Sequence, residues 1–512
     1  MNSIKIKINN REITVPAGST ILEAAAKLNI NIPTLCYLNG YEPFTSCMIC
    51  VVHELNSDRL VPSCSMPAAE GMEIETDNIK VREARKDALD FLLSEHVGDC
   101  EAPCRRACPA NMDIPLMIRQ IKEKQFADAI ITIKRDIALP AVLGRICPAP
   151  CEKACNRKSY DRPVSICYLK KSVADIDLDL DLPYRPEVKN KSGKKVAIIG
   201  AGPTGLSAAF YLLQEGHDCF IFDQNPQPGG MLRYGVPEEK LPKPVLDSEI
   251  KQISVLGAHF HQGYSLGKDI QLNELKNKYD AIVIAVGTIE PSVFENSGLE
   301  LSNRGIVINK RTFTTAVPGV FAGGNAVGES KMAIRALAHG KGISYFVNQF
   351  LKNLPITGLI RRFDSRMGKL SEDELKTLSV SSMAKINFME AIKESSRCFQ
   401  CDCGKATSCR LRKYAEEYRA SQQRFKLGVR KEFEQIIQHD LVIYEPGKCI
   451  KCGLCVQITK KAGEKFGLAF VNRGFNARIE APFKEPLSQS LEKTAKECID
   501  ACPTGALSYI RK

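Results

Sequence analysis

No apolar run in this 512-residue chain reaches the roughly 20 residues needed to cross a bilayer. The opening stretch, MNSIKIKINN, lacks the apolar core of a secretory signal. Basic residues outnumber acidic ones, for a net charge of +12. Yet no stripe of interleaved basic and aromatic residues marks a nucleic-acid surface. The local cluster Lys189, Lys191, Lys194 and Lys195 reads as a solvated linker. These absences exclude a membrane span and a nucleic-acid partner, and they imply a cytoplasmic protein. An acidic protein partner is compatible with the charge. Length predicts three to five domains.

What the chain has is cysteine. All but Cys167 and Cys219 of its 21 cysteines fall into four clusters, most at two- or three-residue spacings. Thiolates so spaced converge on one inorganic centre. A secreted disulfide framework does not suit a chain this long with its cysteines bunched in C-x2-C and C-x3-C runs.

Residues 1–80 open with IKIKI and REITV, which alternate around Asn9–Asn10 and predict a β-hairpin. Ser19 or Thr20 can cap the helix TILEAAAKL. Cys36, Cys47, Cys50 and Cys64 follow as C-x10-C-x2-C-x13-C. With LCYLNG, SCMICVVHE and LVPSCSMPAAEGM, this loop resembles the N-terminal domain of the complex I 75-kDa subunit and of iron-only hydrogenases. The resemblance implies a β-grasp domain with one 2Fe-2S cluster. A zinc site is the alternative.

Residues 81–190 read as helical. HVGDCEAPCRRACPANMDIP and GRICPAPCEKAC resemble the N-terminal domain of glutamate synthase small subunits and of dihydropyrimidine dehydrogenase. The resemblance implies two 4Fe-4S clusters with interleaved ligands: Cys100, Cys104 and Cys155 on one, Cys108, Cys147 and Cys151 on the other. The family's first cysteine is missing, and His96 stands upstream as H-x3-C. His96 is either an imidazole ligand, as in the complex I subunit, or a surface histidine at a helix end. Where the family has a Glu or Gln ligand, RPVSICYLKK places Lys170, which cannot ligate while protonated. Cys167 is either its substitute or a small buried residue.

In residues 191–352, KKVAIIGAGPTGLSAAFYLLQEGHDCFIFD carries Gly200, Gly202, Pro203 and Gly205 between a strand and a helix, with Asp223 ending the next strand. That context makes G-x-G-x-x-G a dinucleotide site, pyrophosphate at the helix N-terminus and Asp223 toward the ribose. PGGMLRYGVPEEKLPKPVLDSEI, with Gly229 and Gly230, and PGVFAGGNAVGESKMAIRALAHGK, with Gly324 and Asn325, resemble the FAD-binding motifs of the glutamate synthase small-subunit family. They imply bound FAD. Asn325 replaces the usual Asp and loses its charge. That family inserts an NAD(P)-binding domain of about a hundred residues after the strand YDAIVIAVGT. Here 16 residues separate Thr288 from Gly305, and no second glycine motif follows. The NAD(P) domain is therefore expected to be absent.

Residues 353–430 are expected to form a helical cysteine-rich linker, with Cys398, Cys401, Cys403 and Cys409 closing around a 4Fe-4S cluster or a zinc. In residues 431–512, CIKCGLC (Cys449, Cys452, Cys455) and ECIDACPTGAL (Cys498, Cys502) resemble a two-cluster ferredoxin that has lost one cluster. Cys502 then completes the surviving 4Fe-4S set and Cys498 is an orphan or an alternative ligand.

The expected fold class is multidomain α/β and α+β: a β-grasp 2Fe-2S domain, a helical 4Fe-4S domain, a Rossmann-like FAD domain and a ferredoxin-like 4Fe-4S domain. The expected cofactors are FAD, one 2Fe-2S cluster and two to four 4Fe-4S clusters. Such a chain is expected to be an oxidoreductase subunit of a hetero-oligomeric complex, relaying electrons between redox partner subunits or a ferredoxin-like carrier. The alternative is a self-sufficient flavin oxidoreductase acting on NAD(P)H, a quinone or a small organic substrate. No catalytic acid, base or nucleophile stands out, and electron transfer requires none.

Overall fold

Two consecutive asparagines set the first turn. Asn9 and Asn10 both take positive φ, 47° and 61°, and leave Ile8 paired with Arg11. A two-residue hairpin loop of this hand needs positive φ at both positions, and asparagine tolerates it. In the computed structural model, which describes residues 3–294, 297–358, 362–376, 378, 388–425, 428 and 430–510, this hairpin edges a five-stranded sheet. Its order is Arg11–Pro16, Ser3–Ile8, Glu73–Glu75, Val51–Glu54, Arg59–Pro62. The helix Ile21–Lys27 buries Ile21, Ala24 and Ala25 against Ile6, Ile8 and Val52 of the sheet. Thr20 accepts from the backbone of Glu23 while Glu23 accepts from that of Thr20, so both orphan amides at the helix start are satisfied.

The chain divides into two units, and the division is discontinuous. The first unit comprises residues 1–102, 362–379 and 401–512; the second comprises 103–361 and 380–400. Residues of the first unit thus lie on both sides of the second unit along the sequence.

Within the first unit, the helix Ile79–Ser94 packs against the helix Arg410–Glu417. Buried Arg85 fixes this arrangement by donating to the Val51 carbonyl at 2.8 Å and to the Tyr418 hydroxyl at 2.9 Å. The C-terminal segment pairs Val442–Tyr444 with Leu507–Tyr509 and Ala469–Val471 with Arg478–Glu480, both antiparallel. The helices Leu454–Lys461 and Ala495–Ala501 cover one apolar core.

The second unit begins with short helices, Pro103–Ala107 through Ile166–Leu178. It continues into a parallel five-stranded sheet ordered Val320–Ala322, Ala281–Ile284, Lys195–Ile199, Asp218–Asp223, His259–Gln262. Helices Pro203–Gln214 and Ala333–Leu351 pack closely together because Gly340 faces the Thr204 carbonyl, where any Cβ would collide. The helix Phe388–Ser396 returns to pack on Ile114–Lys122. From Ile284 to Val320 the described residues hold only a short 3-10 turn and a two-residue ribbon, and Val320–Ala322 resumes the same sheet beside Ala281–Ile284. The described residues leave no place in this stretch for an inserted nucleotide domain.

Candidate functional site

The sulfurs of the first loop meet as two pairs, Cys36 with Cys47 and Cys50 with Cys64. A hydrogen bond from Cys47 pulls the Cys36 thiol down to about 6, helped by the backbone amides of Cys47 and Ser46 against the opposing effect of burial. The same bond pushes Cys47 up. Two pairs suit a two-iron centre, with two thiolates for each iron. Met48, between Cys47 and Cys50, takes a φ of 53°. A left-handed residue recurs between the cysteines of other loops: Ala149, Gln400 and Lys451. It turns the local chain so that amides point back at sulfur. Gln400 N–H donates to Cys398 Sγ and Lys451 N–H to Cys449 Sγ, both at 3.4 Å. Such bonds favour thiolate and tune cluster potential.

Cys449, Cys452, Cys455 and Cys502 line one cavity with Tyr444, Leu454, Leu468, Ile479 and Leu487. Cys498 is not in that lining; its thiol points to the Cys455 carbonyl at 3.9 Å. Within the same unit Cys452 faces Cys36, and Cys502 faces Cys409.

The middle cysteines are divided between the two units. Cys100 lies in the first unit, while Cys104 and Cys155, which the resemblance groups with it, lie in the second. Cys100 Sγ lies 3.1 Å from Ser365 Oγ, and its neighbours among the thiols are Cys403 and Cys409. Cys398, expected to close a cluster with Cys401, Cys403 and Cys409, belongs to the second unit. The chain passes from one unit to the other inside both cysteine runs, at Pro103 and again after Gln400.

In the second unit Cys147 and Cys167 hydrogen-bond each other, Cys167 also meets Cys151, and Cys108 faces Cys147. Glu152 accepts from the Cys167 amide at 2.8 Å and so holds the start of the helix Ile166–Leu178 beside Cys151. Cys167 therefore joins a set of four thiols. Sequence reasoning left Cys167 open between a substitute ligand and a small buried residue, because a lone cysteine carries no spacing signal. Lys170 is buried beside Cys108 and Cys147, where its charge favours thiolate. Cys104 lies on the helix Pro103–Ala107, which packs on Pro150–Lys153, the helix of Cys151. The Cys155 and Cys398 loops are tied together. Buried Arg157 donates to the Arg397 carbonyl and sits over the Phe399 ring, and buried Arg397 donates to Asp161 at 3.0 Å and Glu394 at 2.6 Å.

Among the described residues, no three His, Cys, Asp or Glu side chains are gathered closely enough to chelate a single ion. A cluster asks for less, since its irons share the ligands out.

The nucleotide site follows the glycine pattern. Gly200 has a φ of 108° and lies against the Ala285 carbonyl, and a Cβ on Gly205 would strike the Gly200 carbonyl. Gly202, the N-cap of the helix that begins at Pro203, faces Gly230; Gly229 donates its amide to the Ala201 carbonyl. Asp223 is buried, with one oxygen accepting from Ala201 N–H at 2.7 Å and the other from Asn225 at 2.8 Å. It braces the turn. Gly324 N–H donates to His339 Nδ1 at 3.1 Å, and Asn325 accepts from Ser330 N–H at 3.1 Å. The residues present thus fit a dinucleotide.

Known proteins match segment by segment. Residues 1–79 match the 2Fe-2S iron–sulfur cluster binding domain, and residues 87–181 match dihydropyrimidine dehydrogenase domain II, 4Fe-4S cluster. Residues 198–251 match the NAD(P)-binding Rossmann-like domain, and 246–340 the pyridine nucleotide-disulphide oxidoreductases. The chain is a multidomain assembly of iron–sulfur domains and a Rossmann-like nucleotide-binding domain. It is 42% identical over 217 residues to the NADPH-Fe(3+) oxidoreductase subunit beta of Geobacter sulfurreducens, covering 40% of this chain and 32% of that one. It is 39% identical over 207 residues to the NADP(+)-dependent formate dehydrogenase subunit beta of Moorella thermoacetica, covering 36% and 29%. It is 38% identical over 208 residues to the NAD-dependent dihydropyrimidine dehydrogenase subunit PreT of Escherichia coli, covering 40% and 50%. The matches thus span between about a third and a half of these relatives. A solved NAD+-reducing NiFe-hydrogenase overlaps 99% of the chain and 88% of its own, at a TM-score of 0.37 and 11% identity, too slight a likeness to bear on function. No helix among the described residues is long and apolar enough to cross a membrane.

Proposed function

We propose that this chain is an electron-transfer subunit of a larger oxidoreductase, holding FAD, one 2Fe-2S cluster and several 4Fe-4S clusters. It would pass electrons between a partner bearing its own substrate or nicotinamide site and a second carrier. Clusters carry single electrons, and a flavin takes a pair and releases them singly.

The observation that carries this reading is the succession of thiolate sites in the first unit. The Cys36 loop faces the Cys452 loop, and Cys502 of that same set faces Cys409. Sites that share neighbours in this way make a path rather than isolated centres. The chain's own work is to aim amide donors at the sulfurs, to shut water from the Cys449–Cys502 cavity, and to hold the dinucleotide on the Gly200–Gly205 turn. The relatives' printed names include NADPH, NADP(+) and NAD, but this chain spans half of their length at most, and its described residues leave no place for a second nucleotide domain within the sheet.

Anaerobic mixing with NADH and then NADPH, followed by flavin and cluster absorbance, tests the proposal. The expected result is no bleaching by either nucleotide and full bleaching by dithionite. Rapid bleaching by one nucleotide would overturn the need for a partner and favour a self-sufficient nicotinamide-dependent reductase.

A further inference from the structure

Two cysteine-bearing segments of the first unit meet at an aromatic pair. Phe44 lies in the loop between Cys36 and Cys47, and Phe470 in the strand Ala469–Val471. Their rings stack at 5.3 Å and 14°. Phe44 also covers Gly453, where a Cβ would stand 3.3 Å from the ring. Gly453 separates Cys452 from the helix Leu454–Lys461. The first loop is clamped to that helix. The Gln457 amide donates to the Glu42 carbonyl at 2.9 Å, and Lys461 donates to the Gly40 carbonyl at 3.2 Å while lying 4.5 Å over the Tyr41 ring. Phe44 is thus fixed on the loops of Cys47 and Cys452 at once.

The pair is more than a seal. Phe44 is 47% exposed, Phe470 is 40% exposed, and so is Met48, between Cys47 and Cys50. Rings whose only task was to keep water from sulfur would be turned inward. Large apolar side chains left in solvent beside a polar margin mark a surface that another molecule covers.

The margin has one sign. From residue 451 to 473 the sequence sets Lys451, Lys460, Lys461, Lys465 and Arg473 against a single acid, Glu464. Glu464 is committed to the amides of Lys493 and Thr494 and to the Thr494 hydroxyl. Lys460, Lys465 and Arg473 are exposed, and among the described residues none of the three has a carboxylate at ion-pair distance. The linker lysines differ: Lys189, Lys191 and Lys194 are paired with Glu215, Asp218 and Asp280. Unpaired positive charge beside exposed aromatic surface selects a partner by sign. A second copy of this chain, carrying +12 of its own, is repelled.

We infer that the Phe44–Phe470 pair and its basic margin form the docking surface for an acidic, ferredoxin-like carrier protein. The rings give the small dry contact of a transient redox encounter, which buries less than about 1,200 Å². The lysines and Arg473 steer the carrier in. One electron crosses per encounter: the carrier's cluster is oxidised as a centre of this chain is reduced, or the reverse, and no atom is transferred.

This inference rests on the relay reading, and the test separates the two. Bacterial two-cluster ferredoxin, reduced with dithionite and freed of the excess, is mixed anaerobically with the oxidised, cluster-replete full chain. The rate of bleaching is followed at about 10 mM and about 1 M ionic strength, where the screening length is about 30 Å and about 3 Å. The wild-type rate is expected to fall steeply with salt. The triple variant Lys460→Glu, Lys465→Glu, Arg473→Glu is expected to slow exchange about tenfold at low salt and to flatten its salt dependence. Phe44→Ala and Phe470→Ala are each expected to slow it about tenfold at both salts. Lys189→Gln is expected to change nothing, and every variant is expected to keep the iron content and dithionite bleaching of the wild type. No bleaching of the wild type by reduced ferredoxin, an unchanged rate in the triple variant, or iron loss as the sole effect of Phe44→Ala overturns the docking surface alone. A wild-type chain that holds no iron, or that NADH or NADPH bleaches unaided, overturns the relay reading itself.

Discussion

Glu249 is the buried carboxylate whose chemistry is least ordinary. It accepts from the amides of Ala141 and Val142, both at 3.1 Å, at the start of the helix Pro140–Ile146. Burial pushes its pKa up to about 7, against the pull of those amides and of Lys134 and Arg145. A folded-state pKa above the unfolded value means that the native state binds more protons between the two. Its contribution is therefore full below about 4.5 and lost as pH rises through about 7. The span corresponds to roughly 3 kcal/mol. Chemical denaturation at pH 5 and pH 8 is expected to show this loss in the wild type, and the pH-dependent part is expected to vanish in Glu249→Gln. Lys170 gives a second prediction. Its charge beside Cys108 and Cys147 favours the more oxidised-to-reduced charge uptake of any cluster held there. Lys170→Met is expected to lower that midpoint potential by roughly 50 mV, about 1 kcal/mol for one electron, read by redox titration.

At the level of elements, glycines and arginines set the loops. Gly205→Ala is expected to yield protein with little flavin but undiminished iron, because the new Cβ would drive the helix at Pro203 away from the Gly200 carbonyl. Flavin and iron assays on one preparation check this. Arg397→Ala is expected to destabilise the second unit by about 1–3 kcal/mol, since buried Glu394 loses its 2.6 Å partner while keeping Arg162 at 2.9 Å and the Ser165 amide; the denaturation midpoint reads it. The hairpin at Asn9–Asn10, the capped helix at Thr20, the glycine turn and the truncated strand connection after Ile284 were all legible in the sequence. Each is fixed by residues within a few positions of one another, or by a length that no fold can evade. Which sulfurs share a centre was not legible. Cys100 and Cys403 meet only because the chain returns, and Cys167 joins Cys147 only because Glu152 anchors its helix. Spacing rules see neighbours along the chain, and those sets are assembled by tertiary contact.

For the whole molecule, metal and fold are one equilibrium. Several of the gathered thiols are pushed up by burial, Cys409 to about 12 and Cys449 to about 11, so without iron they are protonated at neutral pH. Ligation must release those protons, and metal binding then adds directly to stability. Anaerobic chelation of iron is expected to take up protons, to proceed faster at lower pH, and to lower the melting temperature. Calorimetry with parallel iron assays measures all three.

The discontinuity at Ala102 also orders events in time. As the chain leaves a ribosome, the Cys36–Cys64 loop is complete before the second unit begins. Cys100 then emerges and must wait while the whole second unit is made. At roughly 5–20 residues per second this delay lasts some tens of seconds. Throughout it Cys100 is a thiol without its later companions, open to oxygen and to stray metals. The Cys36–Cys64 loop can fold on the nascent chain, whereas the contact between Cys100 and Cys403 belongs to the last act of biogenesis, and a pause or truncation before Cys403 would leave a protein with its glycine turn intact and that contact unmade.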